Sequence, residues 1–261
     1  MTKGRGDARQ NTDLAAAFEQ ARHILSASAD AKSAPARKRY LKTDLDVLGC
    51  PVPAIRRAAR GIKRSASAPT RQDLVAALER LWESSVHEER VLAVLTAQQF
   101  VKSFRASDVR GLFRRWLEDC RTWDLVDGLC TFVIGPIALN HAGVWREIGH
   151  WAEANSFWVR RASLLPHIAA IRVGRADLNL LQATCSHLIG ENEFFIRKAI
   201  GWVLRELAIR NPKKAEPLIL ELGAATSSLT LREATRRLPE ASRQRIYRQL
   251  KRRMPKSKRQ P

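Results

Sequence analysis

The chain has 261 residues, with 46 Lys and Arg against 26 Asp and Glu and a formal net charge of +20. That length can bury one extended domain or two compact ones, and the surplus argues for a polyanionic partner, nucleic acid ahead of an anionic membrane surface. No apolar run approaches the ~18 residues of a spanning helix, MTKGRGDARQNTD lacks a signal peptide's apolar core, and four scattered cysteines fit neither a disulfide frame nor a zinc site, so a cytoplasmic protein with reduced thiols is expected.

Residues 1–10 are basic and polar and are expected to be disordered. Leu14, Phe18, Ala21, Ile24 and Leu25 recur at helical spacing and predict a helix over 12–27. Residues 26–38 read as a loop leading into a short helix near Tyr40. Leu48-Gly49-Cys50-Pro51-Val52-Pro53 reads as a turn whose prolines open the helix at Ala54–Arg60. After a second loop, Thr70 is the expected N-cap of a helix over 71–84. Further helices are predicted at 86–103, 107–119, 123–139, 142–154, 156–172, 176–189, 193–210, 212–222, 230–237 and 240–251. Nothing alternates apolar and polar residues as a strand would, so the expected class is all-α.

The helices repeat. A charged residue opens an apolar run at Arg90, Asp127, Arg161 and Lys198, and these positions recur every 34–37 residues with another helix in each gap. A helix pair of that length, repeated, predicts HEAT-like repeats stacked into a curved α-solenoid with a basic concave groove. One repeat domain is expected over residues 11–241, followed by a basic tail over 242–261. That tail holds Arg243, Arg245, Arg248, Lys251, Arg252, Arg253, Lys256, Lys258 and Arg259 and no acid, which suits phosphate attraction; it is expected to be disordered from Pro255.

Arg121–Ile134 is the centre of the chain. Leu125, Leu129, Phe132, Val133 and Pro136 form its predicted core stripe, while Trp123 and Asp127, four apart, stack on the stripe opposite. The helix over 193–210 has the same layout: Ile196, Ala199, Ile200, Val203 and Leu207 face inward, and Lys198, Trp202 and Arg205 lie opposite. Trp158 and Arg161 open the helix between these two. An Arg in so apolar a run needs an anionic partner, either a ligand or a neighbouring carboxylate such as Asp124 or Asp127.

Three blocks carry a family resemblance: Trp123-Asp124-Leu125-Val126-Asp127, Phe157-Trp158-Val159-Arg160-Arg161-Ala162, and the long run from Phe194 to Glu206. With Tyr40-Leu41-Lys42 and Leu48-Gly49 they resemble the AlkD-like DNA glycosylases of the DNA alkylation repair family, over roughly residues 12–240. The resemblance implies HEAT-like repeats around duplex DNA and excision of cationic N3- or N7-alkylated purines, such as 3-methyladenine and 7-methylguanine, without a base-specific pocket. It implies that Asp127, Trp123, Trp202 and Arg161 are the catalytic group and that they gather on the concave face. Tyr40, Lys42, Arg90, Trp158, Arg160, Lys198 and Arg205 are the expected DNA contacts. Neither metal nor cofactor is expected, and the expected partner of this monomer is double-stranded DNA containing alkylated bases. Thr122 stands where members often carry a second aromatic residue, and Cys50-Pro51 where a polar side chain is usual. A non-catalytic HEAT-repeat DNA-binding protein is the second reading, and a solenoid taking acidic peptides is the third.

Overall fold

The computed structural model describes residues 3–253 apart from residue 67. The end of the basic tail, residues 254–261, lies outside the described residues. The chain divides into two compact units, Met1–Val133 and Ile134–Pro261.

The first unit contains α1 (Lys3–Ala27), α2 (Ala34–Leu41), α3 (Val52–Ser65), α4 (Arg71–Trp82), α5 (His87–Gln99), α6 (Ala106–Asp108), α7 (Arg114–Glu118) and α8 (Trp123–Leu129). The second contains α9 (Gly135–Asn140), α10 (Ala142–His150), α11 (Phe157–Leu164), α12 (His167–Arg172), α13 (Leu178–Leu188), α14 (Phe194–Arg210), α15 (Pro212–Leu222), α16 (Ser228–Thr235) and α17 (Glu240–Arg253). Among the described residues the only β feature is an isolated bridge between Asp46 and Val86, so the protein is all-α as expected. None of these helices is long and apolar enough to cross a membrane.

Local chemistry sets most helix starts. Thr70 caps α4 by accepting from the Asp73 N–H at 3.1 Å, as its position predicts. Asp177 caps α13 through the N–H groups of Asn179 and Leu180, both at 3.0 Å. Pro51 is the N-cap residue of α3 and Pro53 lies in its first turn. The predicted helix over 107–119 is split by a π turn at Val109–Phe113, and two others are interrupted at prolines. The helix over 156–172 breaks between α11 and α12 at Pro166, which has no N–H to continue the ladder. The helix over 123–139 widens into a π turn at Cys130–Ile134, just before Pro136, whose ring crowds the carbonyl four residues back. The same region overturns one predicted core position: Phe132 is exposed, because the wider turn shifts the helical phase by one residue, and Cys130 is buried.

The repeat is visible in the packing. The four helices that begin one period apart are α5, α8, α11 and α14, and they carry Arg90, Asp127, Arg161 and Lys198. In the first unit α1 packs on α3, α3 on α5 and α5 on α8; in the second α11 packs on α14 and α14 on α16. Apolar stripes of these helices and of α12 and α15 supply the cores, with Leu14, Ile55, Ile62 and Leu92 buried in one unit and Ile168, Ile200, Val203 and Ile219 in the other. Such repeats bury their faces only against their neighbours. Gly201 marks the closest approach in the second unit: a Cβ there would lie 2.5 Å from the Glu233 Cβ and 3.0 Å from the Thr230 carbonyl oxygen.

His167 is fully buried against Trp145, with ring centroids 4.9 Å apart, and neither ring nitrogen has a hydrogen-bond partner. Burial drives its pKa from 6.5 down to about 4. The folded protein therefore binds fewer protons here than the unfolded chain between these values, so stability falls as pH drops from about 6.5 toward 4. The full loss at this one group is about 3 kcal/mol. Urea denaturation across that window should show this slope in the parent and a flatter one in His167→Leu, which has no ring to protonate.

Candidate functional site

The first turn of α5 organises the site in the first unit. His87 is buried and its Nε2 lies 2.9 Å from Asp124 Oδ2 on α8. Glu88, also buried, accepts the backbone N–H groups of Leu48, Gly49 and Cys50 at 3.0, 2.9 and 3.2 Å. These bonds hold the turn predicted at 48–53 in one shape. Gly49 is required there: its φ is +78°, and a Cβ would stand 2.3 Å from the Asp30 carbonyl oxygen. The Arg37 guanidinium donates to the Cys50 carbonyl and closes the turn on α2.

Asp124 locks the start of α8. Its carboxylate accepts from the Thr122 hydroxyl and, at 3.0 Å, from the Leu125 N–H, besides its bond to His87. Burial pushes its pKa up, but these hydrogen bonds and the nearby imidazole outweigh that and hold the carboxyl below its usual range. Trp123 and Asp127 follow on the same helix, both half-buried, while Leu125, Val126 and Leu129 are buried. The predicted division of faces therefore holds for this helix. The edge of Trp123 meets Tyr40 at 5.7 Å between centroids, nearly perpendicular. Tyr40 is 70% exposed. A cavity of about 270 Å³ opens beside them, lined by Tyr40, Val52, Val91, Trp123 and Asp124 among others. Lys42 is exposed at the C-cap of α2.

Both departures from the resembled pattern have structural roles. Thr122 is fully buried and its hydroxyl serves Asp124. Cys50 is fully buried too, and desolvation raises its thiol pKa. Neither side chain is exposed to solvent. The expected reduced thiols are all free and buried, and burial pushes Cys185 up to about 12.

In the second unit the N-termini of α11 and α14 bring together an aromatic cluster. Trp158 packs on Phe157 at 4.3 Å and on Phe195 at 5.0 Å, and Phe194 beside them is exposed. Arg161 is buried; it donates to the Phe195 carbonyl and lies 6.0 Å from the Phe195 ring centroid. On α14 the predicted core stripe is buried throughout, and Lys198, Trp202 and Arg205 are half-buried on the other side. Trp202 Nε1 donates to Glu206 at 3.2 Å, and Glu206 also binds Arg172 at 3.1 Å.

Several expected DNA contacts are engaged within the fold. Arg90 is buried, donating to the Ser84 carbonyl at 2.9 Å and to Asp119 at 2.7 Å, so it ties α5 to its own repeat rather than to the surface. Arg160 makes a two-point pair with Glu191 at 2.6 and 3.0 Å and also bonds the carbonyls of Ala154 and Asn155, which leaves no fork for a phosphate. Lys198 and Arg205 share Glu233. Sequence reasoning missed better-placed cations on α3. Arg56, Arg57, Arg60, Lys63 and Arg64 are all exposed there, while Ala54, Ile55, Ala58, Ala59 and Ile62 are buried. The signal was available: basic residues at helical spacing opposite a clean apolar stripe, with no acid in the helix. Among the described residues, no group of three or more His, Cys, Asp or Glu side chains is placed to hold a metal ion.

Fold and site define a class: helical-repeat proteins with an aromatic and carboxylate-bearing helix in a strongly basic chain. The model of the DNA alkylation repair enzyme family matches residues 21–238, and the chain belongs to that family. A solved structure described as a predicted DNA alkylation repair enzyme from Enterococcus faecalis is 26% identical, with a TM-score of 0.72, over 82% of this chain and 98% of that one. The Pseudomonas fluorescens alkylpurine DNA glycosylase AlkC, solved bound to DNA containing an abasic site analog, is 17% identical with a TM-score of 0.45, over 91% of this chain and 66% of that one. No curated protein sequence matches the chain.

Glu88→Gln tests the scaffold. The amide keeps an acceptor but loses the charge and turns an NH₂ toward backbone donors. A loss of about 2 kcal/mol in urea denaturation is expected. Parental stability would show that the three N–H bonds contribute little.

Proposed function

We propose that the protein is a DNA glycosylase that hydrolyses the N-glycosidic bond of cationic N3- and N7-alkylated purines in duplex DNA. The observation that carries this reading is Trp123 and Asp127, half-buried one turn apart on a helix whose first turn is fixed by Asp124, in a chain of the DNA alkylation repair family.

The chemistry suits one carboxylate. An N3- or N7-alkylated purine already carries a positive charge, so its bond to C1′ is weakened and the base leaves without being protonated. The bonding electrons go to the base, which departs neutral. Positive charge develops on the sugar, where Asp127 would stabilise it electrostatically. Water then bonds to C1′, and its proton passes to Asp127 or to solvent. Trp123 would offer its ring to the sugar and the cationic base. In the second unit, Trp202 and Arg161 are kept as proposed contacts to DNA, the ring by stacking and the guanidinium by a hold on phosphate. The repeats are taken as HEAT-like, and the enzyme as a monofunctional hydrolase acting as a monomer in the cytoplasm.

Asp127→Asn preserves size and removes the charge. Single-turnover release of 7-methylguanine should slow about 100–1000-fold, with binding of the same duplex unchanged or slightly tighter, because the lost interaction grows only in the transition state. Near-parental release would make Asp127 a structural residue. Binding without release by the parent would favour a non-catalytic DNA-binding protein.

Phosphate contacts should dominate affinity for undamaged duplex. Neutralising about five phosphates predicts a log–log salt slope near −4.5. Binding that ignores salt would contradict the electrostatic reading of the +20 charge.

A further inference from the structure

The acids of the last repeat are all engaged. Glu233 of α16 is buried and holds Lys198 and Arg205. Glu216 of α15 makes a two-point pair with Arg245, and Glu240 at the start of α17 binds Arg243 and Gln244. Arg232 of α16 and Arg236, the C-cap residue just after it, are left exposed, and neither has a carboxylate within ion-pair distance among the described residues. Both side chains line one concavity, where a bound anion would offset the repulsion between their charges.

What lies across them is a cleft. It is an open concavity of about 350 Å³ between the end of α16 and α17. Arg232 and Arg236 line one wall; Arg243, Gln244 and Tyr247 line the other. Arg243 and Tyr247 are also four apart, so each helix presents one row of side chains to the cleft. Tyr247 is 42% exposed, high for an aromatic residue with no partner ring among the described residues. Glu240 also lines the cleft, but Arg243 already neutralises it. The free positive charge is therefore that of Arg232 and Arg236. Guanidinium forks match phosphate oxygens, and a tyrosine hydroxyl donates to them.

We propose that the α16–α17 cleft binds the phosphodiester backbone of nucleic acid, independently of any lesion, with Arg232 and Arg236 each neutralising a phosphate and Tyr247 adding a neutral hydrogen bond. The proposal rests on the reading of the protein as DNA-binding but not on excision.

The test uses undamaged duplex and the full chain, so its outcome is separate from the chemistry at Asp127. Arg232→Gln/Arg236→Gln is compared with Arg237→Gln/Arg248→Gln, which removes equal charge from exposed positions outside the cleft. All four side chains are exposed, so folding should survive, and circular dichroism checks it. The cleft variant should show a log–log salt slope shallower by about 1.8 and weaker binding by on the order of 10–100-fold at low salt. The control should change the slope by less than half as much. Equal changes in both, or none in either, would overturn the proposal. Titration with inorganic pyrophosphate separates the source of the phosphate. Pyrophosphate binding that needs Arg232 and Arg236, with a duplex slope that does not, would mean a free-anion site and would overturn the nucleic-acid assignment.

Discussion

The bond between His87 and Asp124 is the constraint on which the candidate site depends. It joins the first residue of α5 to the first turn of α8 at 2.9 Å, and Asp124 uses its remaining capacity on Thr122 and the Leu125 N–H. The direction of α8 is thereby set at its start. Trp123 and Asp127 gain their placement from a carboxylate whose hydrogen bonds are spent within the fold. The next residue of α5, Glu88, fixes the turn at Leu48–Cys50 in the same way. One helical turn thus positions elements from three parts of the chain.

The same device recurs at a fixed offset. His87 reaches 37 residues ahead to Asp124, Arg71 37 to Asp108, Arg172 34 to Glu206 and Lys198 35 to Glu233. These separations match one repeat. A helix pair cannot bury its apolar face alone, so each repeat must dock on the next, and polar side chains at repeat spacing fix the register of that docking. Two of them, Arg71–Asp108 and Lys198–Glu233, are part-buried charge pairs, whose net stabilisation is modest but whose removal leaves one buried partner unmatched. Register, more than stability, is their contribution. The same economy explains why so many arginines of this basic chain are structural. Arg90, Arg160 and Arg172 join neighbouring segments, whereas the basic residues of α3 and Arg232 and Arg236 are exposed.

Helix periodicity made the class, the repeat spacing and most element positions legible, because the apolar stripe of each helix is written at 3.6-residue spacing. The site helix was legible for the same reason: Leu125 and Leu129 are buried, and Trp123 and Asp127 face away from them. What escaped was pairing. Arg90, Arg160, Lys198 and Arg205 look alike in sequence to unpaired basic residues, and only the fold brings in their carboxylate partners Asp119, Glu191 and Glu233, at long sequence separation. Asp124 escaped for the converse reason. It lies three residues before Asp127, and nothing in the sequence says that it is the one paired with His87. Phe132 was placed in the core because a regular helix was assumed through Pro136, and the π turn shifts the phase.

On the proposed mechanism Asp127 only stabilises charge on the sugar, which suits a leaving base that is already positively charged. Charge on the lesion, not its shape, should decide which bases leave. The direct test compares two duplexes that differ in one base, 7-methylguanine or uracil, under single-turnover conditions, measuring free base released. Release of 7-methylguanine with no measurable release of uracil is the predicted result. Release of both at similar rates, or of neither by protein that binds both duplexes, would contradict the account.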